Sequence, residues 1–204
     1  MGRRSPIVSA LFGALAALGA WTLAGPALAH TGTGLPGGFT SGFLHPLSGF
    51  DHLLAMVSVG IWGAFLGRPL LIALPVIFPT VMAVGGALGM ANVPLPRVEL
   101  GIAVSVLVMG GVIAFAYRAP VWLACLIVGV FAIFHGYAHG RELPSAADPI
   151  GYSVGFVLAT GMLHVFGIGI GVLNNRPTGV VATRSLGALI AVTGVFFLYQ
   201  ALRV

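Results

Sequence analysis

The chain has 204 residues, of which 58% are hydrophobic and 6% charged, against about 25% charged in an ordinary soluble domain. That composition excludes a soluble globular enzyme and points to an all-α, polytopic membrane protein. The formal charge of +5 comes from nine basic residues, all of them arginines set between apolar runs, where they anchor helix ends and set topology; they form no patch for nucleic acid. Cys125 is the single cysteine, which rules out an internal disulfide framework or a CxxC thiolate site and reads as a small apolar residue within a helix.

Residues 1–29 read as a signal peptide. Arg3 and Arg4 form its charged region, Ile7 to Leu23 its apolar region, and Ala27-Leu28-Ala29 its cleavage site. An uncleaved first helix is the other reading of the same run. Cleavage makes His30 the N-terminal residue, read as an incidental surface histidine. Thr31 to Gly42 reads as a Gly/Thr-rich linker on the outer side. From there, residues 30–204 form one membrane domain, a six-helix bundle with apolar runs near 46–67, 70–91, 98–117, 120–140, 150–172 and 185–202. Short loops predict that successive helices are antiparallel neighbours.

Six spans after a cleaved signal put both termini outside. Arg68, Arg118, Arg176 and Arg184 then lie inside; Arg97, Arg141 and Arg203 lie outside with Glu99, Glu142 and Asp148, so the positive-inside bias is thin. Glycines four apart (Gly85/Gly89, Gly151/Gly155, Gly167/Gly171) predict close helix contacts. Pro75 and Pro79 predict a kinked second helix with freed carbonyls. Met56, Met109 and Met162 read as core fillers.

The polar residues converge. Odd-numbered helices start at the outer end and even-numbered ones finish there. The head of the first (His45, Asp51, His52), the head of the third (Glu99) and the tail of the fourth (His135, His139, Glu142) therefore share that end. It collects four of the six histidines and three of the four acids. Ionisable groups at membrane depth are costly, about 2.5–3.5 kcal/mol for an aspartate on insertion scales, and a bound cation is the obvious candidate to offset that cost. His135, His139 and Glu142 lie at i, i+4 and i+7, on one helix face, and two histidines at i, i+4 can chelate one metal. His45 and His52 are separated by about 10 Å of helical rise. Either Pro46 and Gly49 break that helix, or the pair marks two successive stations. The second is the expectation, with Pro46 in the first helical turn, His45 just outside it as the receiving ligand, and Asp51–His52 further in. Imidazoles with carboxylates and no thiolate suit nickel, cobalt, zinc or copper(II) and suit magnesium or calcium poorly. Glu99 reads equally well as an interfacial anchor, and Glu142 as a ligand or as a group orienting a histidine. His164, about 21 Å into the fifth helix, is either an inner station or a hydrogen-bonding group between helices.

These residues resemble the HupE/UreJ family of nickel/cobalt permeases. The family pattern H-P-x-x-G-x-D-H corresponds to HPLSGFDH at 45–52, and F-H-G-x-x-H-G-x-E to FHGYAHGRE at 134–142. VELGIAVSVLVMG at 98–110 is similar to the family's acidic-headed helix. The resemblance implies uptake of nickel, sometimes cobalt, across a bacterial inner membrane, with the ion as cargo and no permanently bound cofactor. Hydrogenase or urease maturation machinery would be an indirect partner, and lipid the direct one. His45, Asp51, His52, His135, His139 and Glu142 are the positions carried over. No GxxxxGK[ST] loop is present for ATP hydrolysis, and the His-Glu-x-x-His string of an intramembrane metalloprotease is absent, so no enzyme is expected. The alternatives are a membrane haem protein with histidine axial ligands, which leaves Asp51 and Glu142 unexplained, and an outer-surface metal sensor. Histidine motifs in the first and fourth helices also hint at a three-plus-three inverted repeat.

Overall fold

A computed structural model describes residues 38–142 and 148–203, so the expected signal peptide and His30 lie outside the described residues. The regular elements are helices α1 (Phe39–Ser48), α2 (Phe50–Leu66), α3 (Leu70–Met90), α4 (Val98–Ala114), α5 (Val121–Glu142), α6 (Pro149–Val172) and α7 (Pro177–Ala201), with a 3-10 turn at Leu173–Asn175. Helices α3, α5, α6 and α7 are each long and apolar enough to cross a membrane. Helices α1 and α2 together make one further candidate, bent by 83° at their junction, and α4 is a shorter apolar helix of 17 residues. Large apolar side chains point outward, Phe115 at 81% exposure and Ile150 at 78%. Water would not tolerate such a surface, whereas lipid does. The chain is a multi-pass membrane protein.

Helix α2 is the hub. His52 and every residue from Leu54 to Gly63 are buried, the pattern of a helix surrounded on all sides. Successive helices are not each other's main neighbours, contrary to the reading from short loops. The extensive pairings are α3 with α5, α4 with α7, and α6 with both α1 and α2. Glycines choose these partners, because in lipid close backbone approach replaces the hydrophobic drive to associate. A Cβ on Gly136 of α5 would overlap the Met82 carbonyl of α3, and one on Gly85 of α3 would overlap the Ile133 carbonyl of α5. Gly60 and Gly167 make the same reciprocal contact between α2 and α6.

Several expectations change. The expected linker ends in helix α1, and Pro46 lies in the last turn of that helix instead of opening the next one. Gly49, extended at φ −81° and ψ 105°, closes α1 through its N–H to the His45 carbonyl and serves as the N-cap of α2. The first expected span is therefore broken at Gly49. Helix α7 begins at Pro177, well before 185, because a proline at the first helical position needs no N–H partner. Arg184 thus lies within α7, and its Nε donates to the Ala114 carbonyl at the end of α4 (2.8 Å), satisfying one of that helix's terminal acceptors. Met56 and Met109 are core residues as expected, but Met162 is 60% exposed and faces outward.

On α5, Gly129 has open space around its Cα whereas Gly136 touches the α3 backbone. Gly136→Ala is therefore expected to destabilise the protein by about 1–3 kcal/mol through overpacking, and Gly129→Ala to leave stability unchanged. Thermal unfolding of the two variants in detergent checks the contrast.

Candidate metal centre

Two short segments carry the site. The bend at Gly49 turns α1 back so that His45 and His52, about 10 Å apart on an unbroken helix, bring their rings to 6.3 Å between centroids. The break overturns the premise on which His45 and His52 were kept apart as stations. On α5, the i, i+4, i+7 spacing directs His135, His139 and Glu142 to one face. The His139 ring then stands 4.8 Å from that of His45 and 4.5 Å from that of His52, and His135 lies 4.7 Å from His52.

The cluster has a mouth and a floor. At the mouth, His45, His139 and Glu142 each offer a ligand atom, all within 4.8 Å of one another, with His45 Nε2 3.3 Å from Glu142 Oε2. A first-row divalent ion holds its donors at about 2 Å, so shifts of an ångström or so in the side chains would close this set on an ion. Below it, exposure falls from 7% at His139 to 2% at His52 and 0% at His135. Phe156 and Tyr152 of α6 wall the mouth, the Phe156 ring 4.3 Å from that of His139 and the Tyr152 ring 5.9 Å from that of His45.

For two of the buried imidazoles, His52 and His135, hydrogen bonds select which nitrogen can bind. Asp51, in the first turn of α2, where the helix dipole favours an anion, has Oδ1 2.7 Å from His52 Nδ1 and 2.8 Å from the His52 backbone N–H. A carboxylate accepts, so Nδ1 carries the proton and Nε2 is left with the lone pair. Ser105 of α4 donates to the Ile102 carbonyl (2.6 Å), which leaves its oxygen to accept from His135 Nε2 at 2.9 Å. His135 Nδ1 then holds the lone pair, buried and with no hydrogen-bond partner among the described residues. Such outer partners are the usual means of orienting metal-binding histidines.

Of the seven predicted residues, His45, Asp51, His52, His135, His139 and Glu142 come together. Glu99 does not: it is exposed in the first turn of α4 and outside the converging set. Sequence reasoning missed Ser105, Tyr152 and Phe156. A serine in the middle of an apolar helix was the only cue to Ser105, since in lipid its hydroxyl needs a partner.

A buried histidine–carboxylate cluster inside a bundle of apolar helices defines a polytopic membrane protein with a candidate site for a divalent cation. The chain belongs to the HupE / UreJ protein family, which it matches over residues 16–197. It is similar to Protein HupE of Rhizobium leguminosarum bv. viciae, with 43% identity over 173 residues that cover 84% of this chain and 91% of that protein. No solved structure matches.

For a divalent ion bound here, Ser105→Ala is expected to weaken affinity about 10–100-fold, the usual effect of losing an orienting partner. Equilibrium dialysis of the purified protein against Ni²⁺ or Co²⁺ reads the change. An unchanged affinity would mean that His135 needs no help from Ser105.

Proposed function

We propose that the chain is a secondary permease for divalent transition-metal uptake, carrying nickel above all and cobalt as the next choice, in the inner membrane of a bacterium. It supplies metalloenzymes such as hydrogenase or urease and is not itself an enzyme. The observation that carries this reading is the graded cluster: three donors at a partly exposed mouth, and two buried imidazoles with oriented lone pairs directly behind them. A storage or sensing site needs only the first set. A ladder of donors running inward suits an ion that changes ligands as it moves, bound well enough to be admitted and weakly enough to be released.

In this reading the bent α1–α2 pair and α4 join the four long helices to make six spans. The 17 residues of α4 stand at the short end of what the hydrocarbon requires. The signal peptide over 1–29 puts the N-terminus outside and the histidine mouth on the outer face. The haem alternative is weaker, because Asp51 and Glu142 are engaged with the imidazoles themselves, a role that axial ligation does not require.

Asp51→Asn and His135→Ala are each expected to abolish ⁶³Ni accumulation in cells while the amount of protein in the membrane stays constant. Wild-type uptake in both variants would remove the assigned site. Competition by cobalt, zinc and copper in liposomes holding the purified protein ranks the ions.

A further inference from the structure

His164 takes no part in the cluster described above. It stands on α6 about four turns from Pro149, 1% exposed, and neither of its ring nitrogens has a hydrogen-bond partner among the described residues. Helices α2 and α6 meet at its backbone, where a Cβ on Gly60 would overlap the His164 carbonyl. An imidazole packed so deeply among apolar side chains is costly unless something engages it.

Two features of α3 bear on what that is. Pro79 has no N–H to give to the carbonyl one turn back, so the Pro75 carbonyl lacks its helical partner. That carbonyl faces the His164 ring and engages it weakly, short of a full hydrogen bond to either ring nitrogen. One turn along α3 from Pro75, the buried Phe78 ring packs against two histidines, with centroids 5.8 Å from His135 and 5.4 Å from His164. His164 and the floor of the outer cluster thus share one aromatic neighbour. Thr160, one turn away on the same face of α6, adds a buried hydroxyl with no partner among the described residues.

We propose that His164 and the Pro75 carbonyl form a second, inner site for the transported divalent cation, divided from the outer cluster by the Phe78 ring. The proposal rests on the permease reading. One imidazole and neutral oxygens make a weaker donor set than the outer cluster with its carboxylates, and a site before the exit must release its ion. Phe78 acts as the apolar constriction between the sites, the kind of barrier that gates a pathway.

The test is ⁶³Ni²⁺ equilibrium dialysis of the purified full-length protein, paired with uptake into liposomes. The unmodified protein is expected to bind two ions per chain, one tightly and one weakly. His164→Phe, which keeps the volume and removes the donors, is expected to lose the weak component, keep the tight one and slow uptake at least tenfold. His164→Asn is expected to behave the same way, and the retained tight component shows in each case that the protein is folded. Binding of a single ion by the unmodified protein overturns the inner site, as does a weak component that survives both variants. Two binding components without any flux in the unmodified protein would instead sink the permease reading and leave the inner site standing.

Discussion

The arrangement depends on backbones touching at glycine. In hydrocarbon, apolar side chains gain nothing by leaving lipid for protein, so helices associate where close approach lets dispersion and weak backbone contacts accumulate. Gly85 and Gly136 join α3 to α5, and Gly60 and Gly167 join α2 to α6. These pairs fix which helices share an interior, and the shared interior brings His135 to His52. Gly136 directly follows His135 in sequence, so the contact that seats α5 also seats that buried histidine. A side chain there would push apart the helices on which the cluster is built.

Given that frame, the polar atoms have few choices. A histidine sealed among Met, Phe and Val must use both ring nitrogens or leave one costly in an apolar setting. Asp51 takes one nitrogen of His52 and Ser105 one of His135, and in each case the remaining nitrogen is the one with the lone pair. The protein thus spends one carboxylate and one hydroxyl on direction rather than on binding. Among the described residues, Glu142, at the more exposed end, is positioned as a carboxylate donor beside His45 and His139.

Much of this was legible in the sequence because period and parity are strong signals. Spacing alone put His135, His139 and Glu142 on one face, and helix counting put them at the same end as Asp51 and His52. The glycine pairs announced close packing but not their partners, since a four-residue spacing does not say which helix fills the groove. The break at Gly49 was open in the sequence. Pro46 suits either the start of a helix or, as here, its last turn, and only the pairing of α1 with α6 decides between them. Met162 was misjudged because an apolar residue in a membrane helix can face lipid as well as core. Glu99 shares the correct end with the cluster, but parity fixes the end and not the face.

The separation of the two ends of the interior has a consequence for direction. In the permease reading, the mouth offers a carboxylate at its partly exposed end, so an arriving hydrated ion would exchange its waters there one at a time. One step inward the donors are neutral nitrogens in a dry setting, where each ligand lost is a full loss with no water to replace it. An ion on such a path would therefore advance only while a new donor is within reach of the old. His139 meets that condition, since its ring lies within 5 Å of both His45 and His52. In that reading, a single shared imidazole between the exposed and the buried donors would turn a binding cluster into the first step of a path.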